Sequence, residues 1–315
     1  MYEINFPKLE LGDLKPKYPI IQGGMAIKIS MAGLASAVAE EGGIGLIAGT
    51  ALTVKELKKE IRKAKEKTDG IIGVNIMFAA KDFPKLIKES IASCFDLIVS
   101  WAGFSRDMFT LGKKWDVPVV PIVSSVRLAK ISEKLGAAGI VIEGGNAGGH
   151  LGTDRDSWEL IEEIKDEVSI PVIGAGGVVT PPDMKKMFEM GVDGVQMGTR
   201  FLASKEADVA DVFKKMCVDA DKEDIVKIMS SVGLPANAIK SRFTELIKKG
   251  EAPPPEDCND CLKKCTKNFC IRDALIAARN GDTENGVFFT GEDMHKVKEI
   301  LSVKEIFKLF KEYDE

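Results

Sequence analysis

The stretch Gly139-Ile140-Val141-Ile142-Glu143-Gly144-Gly145-Asn146-Ala147-Gly148-Gly149-His150-Leu151-Gly152 decides how the rest of the chain is read. A β-branched apolar run ends abruptly in Glu143, and the nine positions after it hold five glycines and one of the two histidines in the protein. The run reads as a buried strand, and residues 144–152 read as a loop stripped of side chains. Glycine permits positive φ and lets a flat ligand lie against the backbone, so the loop reads as a ligand-binding turn with His150 beside it. An imidazole titrates near neutrality and is suited to moving a proton at such a place. A satisfied histidine in a flexible connection is the plainer alternative; the glycines on both sides argue against it.

Working backward, apolar runs without polar alternation recur at 18–21, 44–48, 71–77, 96–100 and 117–123; working forward, at 170–174 and 194–197. Between them the spacing predicts helices over 30–41, 54–67, 84–93, 104–114, 125–135, 156–167, 181–190 and from 204 onward. Strands apolar on both faces are what a parallel sheet covered by helices requires. Eight such units in about 210 residues favour a closed (β/α)8 TIM barrel over an open sheet. A barrel gathers every strand's C-terminal end on one face, and the unusual residues fall there: Gln22 to Met25, Asn75, Ser100 to Gly103, Glu143 to Gly152, Gly174 to Gly177 and Gln196 to Thr199.

Past residue 220 the pattern changes. Helices are expected near 221–230 and 238–249, then Ala252-Pro253-Pro254-Pro255, a cluster of cysteines and two further helices. The expected organisation is a barrel over 1–220 and a small helical appendage over 221–315 that carries the cysteines and packs over the barrel mouth.

Composition narrows the function. The chain of 315 residues is 45% hydrophobic with a formal net charge of −4, and its mean hydropathy is close to zero. Lys and Glu alternate through 55–67 and 296–312 as solvated helix faces, which argues against a nucleic-acid or membrane partner. Neither a membrane span nor a signal pattern is seen, so a cytoplasmic location is expected.

Two glycine pairs at neighbouring strand ends, in Gly174-Ala175-Gly176-Gly177 and in Gln196-Met197-Gly198-Thr199, sit where barrels commonly hold a phosphate on backbone N–H groups. Together with Pro19-Ile20-Ile21-Gln22-Gly23-Gly24-Met25-Ala26, Gly73-Val74-Asn75 and the Glu143–Gly152 loop, these motifs resemble the FMN-dependent family of nitronate monooxygenases (2-nitropropane dioxygenases) and enoyl-acyl-carrier-protein reductases II. The resemblance covers residues 18 to about 205 in order, and the tail more loosely.

It implies a barrel carrying FMN. Gln22, Gly24, Met25, Asn75, Glu143, Gly148, Gly149 and Gln196 would line the flavin, Gly176, Gly177, Gly198 and Thr199 would hold its phosphate, and His150 would act on the substrate proton. The chain departs from the family at Asn146, where an acidic residue is usual, and at Trp101, which would narrow the substrate site or pack in the core. The implied activity is oxidation of nitronates or nitroalkanes. The alternative is NAD(P)H-dependent reduction of an enoyl thioester, and a flavin redox sensor is a third reading. The implied partner is a small-molecule substrate, with a homodimer left open.

Of six cysteines, Cys94 and Cys217 read as small core residues. The others form Cys258-x2-Cys261-x3-Cys265-x4-Cys270. Disulfides are not expected in a cytoplasmic chain. Only three residues part the inner cysteines, which is short for zinc. The compact spacing suits a [4Fe-4S] cluster better and is similar to that of flavin-barrel reductases fed by an iron-sulfur centre. Zinc, or free thiols without a metal, remain the alternatives.

Overall fold

The computed structural model describes residues 5–101, 103 and 105–312. Its strands and helices alternate from the start: β1 (Ile20–Gln22), α1 (Ala32–Glu40), β2 (Ile44–Ala48), α2 (Val54–Lys65), β3 (Ile71–Met77), α3 (Phe83–Ser90), β4 (Leu97–Trp101), α4 (Arg106–Trp115), β5 (Val119–Val123), α5 (Val126–Lys134) and β6 (Ile140–Glu143). The chain then runs through β7 (Gly149–His150), α6 (Ser157–Ile164), β8 (Val172–Ala175), α7 (Pro181–Glu189), β9 (Gly194–Met197), α8 (Thr199–Leu202) and α9 (Asp211–Asp219). After these come β10 (Ile225–Met229), β11 (Pro235–Ile239), α10 (Arg242–Lys249), α11 (Ile271–Arg279), β12 (Phe288–Phe289) and α12 (Val303–Lys311).

Strands β1, β2, β3, β4, β5, β6, β8 and β9 form a closed parallel barrel, sealed where Ile21 of β1 pairs with Gln196 of β9. Its interior is filled by Ile21, Leu46, Val99, Val120, Val141 and Ile173, and Leu9 and Leu11 from the lead-in segment pack into the same cluster. The helices start where the sequence supplies caps. Thr53, Ser105, Ser125, Asp156 and Thr180 each accept a backbone N–H from the first turn of α2, α4, α5, α6 and α7. Gly45 is required by packing: a Cβ there would lie 2.0 Å from the Ala35 carbonyl oxygen, so α1 rests directly on the backbone of β2. No helix among the described residues is long and apolar enough to cross a membrane.

The region past 220 differs from the expected helical appendage. Residues 225–229 are strand, not helix, and pair antiparallel with β11 from Ile225↔Ile239 to Met229↔Pro235. The second expected helix begins only at Arg242, capped by Ser241. The dense β-branched run Ile225-Val226-Lys227-Ile228 favours extended backbone once a partner strand is available. The last helix, α12, returns to the barrel wall, where Phe307 and Phe310 join the cluster that holds Leu34 and Val38 of α1. Cys217 is buried as expected, whereas Cys94 is exposed: it ends a short helical turn in the left-handed conformation, which turns it out of the core.

The second sheet reaches back to the glycine-rich stretch. β11 pairs on its other edge with β7, matching Ala236 with His150 and Asn237 with Gly149. The Asn237 side chain, 1% exposed, donates to the carbonyls of Gly145 at 2.8 Å and Ala147 at 2.9 Å. Truncating it would strand two buried carbonyls, at a cost of about 1–3 kcal/mol. Asn237→Ala should therefore lower the thermal midpoint while leaving the far-ultraviolet circular dichroism unchanged; an unchanged midpoint would show that the amide does not hold the glycine loop.

Candidate active site

The strand ends surround a cavity of about 630 Å³. From β1 come Gly24 and Met25, from β3 Asn75, from β4 Trp101, and from β6 Glu143 and then Gly148, Gly149 and His150. Gly176 and Gly177 come after β8, and Gln196, Gly198 and Thr199 belong to the end of β9. Segments outside the barrel close it: Phe289 to Gly291 after β12, Ile271, Arg272 and Leu275 of α11, and residues Asn259 to Leu262. The sequence reading thus gathers in one place, with one exception. Gln22 does not face the cavity. Its side chain is fully buried, donating to Ser30 Oγ at 3.0 Å and accepting from Leu46 N at 3.2 Å, so it ties β1 to its neighbours.

The glycines are there for several reasons. At Gly24 a Cβ would lie 2.3 Å from Asn75 Cβ, so the pair fits only with glycine. Gly176 and Gly177 hold φ of +96° and +75°, and Asn146 packs beneath both. At Gly198, by contrast, the nearest atoms to a Cβ belong to Met25 at 3.9 Å, so its missing side chain leaves room only in the cavity. Thr199 Oγ1 accepts from Gly291 N at 3.0 Å and thereby draws the segment after β12 over the floor.

His150 is held on three sides. Its Nε2 lies 2.7 Å from Ser230 Oγ, and its ring is 5.0 Å from the Phe289 ring edge-on and 5.7 Å from the tilted Trp101 ring. Among the described residues Nδ1 has no hydrogen-bond partner. Burial pushes the imidazole down from 6.5 to about 4, so the ring is neutral at neutral pH. Trp101 Nε1 also donates to Glu143 Oε1 at 2.7 Å. Burial raises that carboxyl to about 7 against the opposing effect of the indole hydrogen bond. Glu143 faces the cavity, screened from bulk water though not sealed by protein. Of the stretch flagged around Trp101, Ala102 lies outside the described residues, and Ser100 Oγ donates to the Gly103 carbonyl at 2.5 Å.

Asn146 is a structural residue here. Its Nδ2 donates to Ser157 Oγ at 3.0 Å and to Asp156 Oδ1 at 3.3 Å, and its Oδ1 accepts from Ser157 N. It fastens the glycine loop to the first turn of α6, a task for which an amide carrying both donor and acceptor is suited. Ser230, Asn237, Phe289 and Thr290 carry no local motif that would single them out in the sequence. Their roles come from strand pairings far apart in the chain.

The expected metal centre at the cysteine cluster is not supported by the described residues. Cys258, Cys261, Cys265 and Cys270 border a second, small cavity of about 40 Å³. Cys258, Cys261 and Cys265 are exposed and Cys270 is half-buried. Among the described residues no three Cys, His, Asp or Glu side chains are grouped so as to hold a metal ion. The thiols stand around a rim, on a segment without regular secondary structure, and do not converge on a common centre as zinc or a cluster requires.

Comparison with known proteins agrees with this geometry. The family model described as nitronate monooxygenase matches residues 9–101 and 96–312. The (3aS,4S,5R,7aS)-5-hydroxy-7a-methyl-1-oxo-octahydro-1H-indene-4-carboxyl-CoA dehydrogenase of Rhodococcus jostii (strain RHA1) is 30% identical over 75% of this chain and 65% of its own length, so the chain spans just under two thirds of that relative. A probable nitronate monooxygenase of Staphylococcus aureus (strain N315) is 26% identical, over 77% of this chain and 81% of that one. Among solved structures, FabK from Thermotoga maritima is 33% identical with a TM-score of 0.85 over 94% of both chains. The nitroalkane oxidase of Streptomyces ansochromogenes, 21% identical with a TM-score of 0.79 over 94% of this chain and 95% of that one, shares the fold. On the family model's match across nearly its whole described length, the chain belongs to the nitronate monooxygenase family of oxidoreductases.

Proposed function

We propose that the chain is an FMN-dependent oxidoreductase that oxidises nitronates or nitroalkanes. The observation that carries this reading is a half-buried His150 held by Ser230, Phe289 and Trp101 at the edge of a glycine-floored cavity, with Nδ1 unengaged among the described residues.

The residues present fit FMN. Gln196 Oε1 and Thr290 Oγ1 are buried without partners in the cavity wall, which a ligand offering N–H and hydroxyl groups would satisfy. The space left by Gly198 suits a group pressed against the backbone at the start of α8, and Gly176, Gly177 and Thr199 stand beside it. Bound there, FMN supplies the two-electron chemistry.

The chain's own residues handle the proton and the substrate. In the tautomer that carries its proton on Nε2 and donates it to Ser230, His150 presents a basic Nδ1 to the acidic C–H beside a nitro group. Phe289 and Trp101 fix the ring plane, so the imidazole does not have to be oriented at the moment of transfer. Glu143 holds Trp101 by its indole N–H and adds no full negative charge beside the base.

One observation favours the second reading, reduction of an enoyl thioester by NAD(P)H through FMN. The cavity wall also includes Met77, Leu86, Leu262, Ile271 and Leu275, apolar side chains against which an acyl chain would pack and which a short nitroalkane does not need. The likeness to FabK, an enoyl-acyl-carrier-protein reductase II, points the same way. Under argon, consumption of NADH or NADPH with a 2-enoyl thioester supports reduction; oxygen uptake with a nitronate and no nicotinamide supports oxidation.

Gly198→Val should keep the circular dichroism of the parent and lose at least about tenfold in FMN occupancy, since the added carbons meet ligand and not protein; full flavin absorbance in that variant would displace the cofactor from this floor. His150→Ala should retain FMN and lose about 10²–10⁴ in kcat. Because the free imidazole is held near 4 and the base form is the active one, kcat/KM should stay level from pH 7 to 5 and fall only as pH approaches about 4. An acid limb at 6.5 that vanishes in His150→Ala would contradict an imidazole held down by desolvation.

A further inference from the structure

The segment carrying Cys258, Cys261 and Cys265 is a strap across the cavity mouth. Leu262 forms a bridge with Ala80, Lys81 N donates to the Cys261 carbonyl at 3.1 Å, and Lys263 N donates to the Ala79 carbonyl at 3.0 Å. Side chains add to the seam: Lys81 pairs with Asp260, and Lys263 Nζ lies 2.7 Å from the Phe78 carbonyl and 3.6 Å above the Phe78 ring. A few residues on, Thr266 N donates to the Ser231 carbonyl at 2.8 Å, at the turn between β10 and β11 that also supplies Ser230 to His150. The strap is therefore pinned on both sides, and Cys261 and Cys265 lie between the pins.

Asn259 to Leu262 line both the active-site cavity and the small thiol-lined one. The two cavities share a wall, and Cys261 is part of it. Cys258 and Cys265 line the small cavity with it, and burial pushes the Cys261 thiol above its ordinary range. The chain bends at Lys263 and Lys264, between Cys261 and Cys265. All of these thiols are free. Exposed neighbouring thiols that do not converge on a metal are suited to thiol–disulfide exchange.

We propose that Cys261 and Cys265 form a reversible disulfide that reshapes the shared wall and narrows entry to the active-site cavity. The oxidant is a small disulfide of the oxidised-glutathione class. The thiolate of exposed Cys265 attacks one of its sulfurs, breaking the S–S bond and releasing one small thiolate. Cys261, having given its proton to solvent, attacks the mixed disulfide at Cys265 and expels the second. Two electrons pass from the protein thiols to the small disulfide, which leaves as two thiols once protonated. Drawing Cys265 toward Cys261 pulls on Leu262 and on the Lys263 clamp at Phe78, the points at which the strap meets the mouth.

The bond's formation stands apart from the function proposed above, whereas its effect on turnover rests on that reading. The holoenzyme is equilibrated with oxidised glutathione, quenched with iodoacetamide and digested with trypsin. Cleavage after Lys263 and Lys264 separates the two cysteines, so a disulfide between them holds two peptides together. The expected result is that linked pair, lost with dithiothreitol, absent in Cys261→Ser and in Cys265→Ser, and kept in Cys258→Ser. With it, KM should rise at least threefold while kcat and FMN content change little, and Cys94→Ser should behave as the parent. If the reduced enzyme turns over neither substrate, the functional reading fails, and the gate is then read from acrylamide quenching of the tryptophan fluorescence that Trp101→Phe removes, which should fall on oxidation. Glutathione adducts alone, a Cys258–Cys261 bond within one peptide, stoichiometric zinc or iron on the purified protein, or a linked pair that changes neither KM nor quenching would each overturn the proposal.

Discussion

Two carbonyl oxygens, those of Gly145 and Ala147, have no strand of their own to bond to, and the amide of Asn237 takes both. The site depends on that arrangement. A loop with so little side-chain volume cannot order itself by packing, and with five glycines in nine positions its backbone loses more freedom on folding than a loop with fewer would. Order is imposed from outside, through the pairing of Gly149 and His150 with Ala236 and Asn237, and Leu151 N extends the match to the Pro235 carbonyl at 2.8 Å. The same hairpin presents Ser230 to His150. Thus two of the three residues that hold His150, Ser230 and Phe289, come from the sheet outside the barrel, while Trp101 and the floor beneath come from the barrel itself.

That division explains what is legible in the sequence. Barrel strands are buried on both faces, so 44–48 or 71–77 announce themselves as unbroken apolar runs, and the glycines at their C-terminal ends mark the floor. The pairing of β7 with β11 leaves no such mark. It joins a two-residue strand to a partner more than eighty positions later, and the local pattern at 221–230 is compatible with either helix or strand until the partner is known. Ser230 and Asn237 escape a reading of sequence for that reason. Gln22 misleads for another: its place beside two glycines suggests the ligand, but residues alternate across a strand, and its side chain turns away from the interior that Ile21 fills, to bond Ser30 and Leu46. The cysteine spacing shows a related limit. Spacing says which thiols are near in the chain, not whether they point at one centre.

The electrostatics of the site have their origin in the same enclosure. Removing water disfavours charge on either group, so the imidazole is pushed down to about 4 and the carboxyl up to about 7. Trp101 touches both: its indole N–H serves Glu143 and its ring leans on His150. A carboxylate paired directly with the imidazole would hold the ring protonated and remove it as a base, and among the described residues the Glu143 side chain is instead bonded to the indole.

The outer wall of the cavity is built differently from the floor. Glycines at 176, 177 and 198 and Asn75 belong to barrel strand ends, whose positions are set by closure of the sheet. Leu262, Ile271, Arg272 and Leu275 belong to a strap and a helix laid over the mouth. Changing these does not disturb the strand register, so substrate choice can vary while the cofactor floor and the base stay in place. On the proposed reading, this is how one family can include proteins named for nitronates and resemble one named as a carboxyl-CoA dehydrogenase: the barrel would fix where the electrons and the proton are handled, and the added segments what is brought to them.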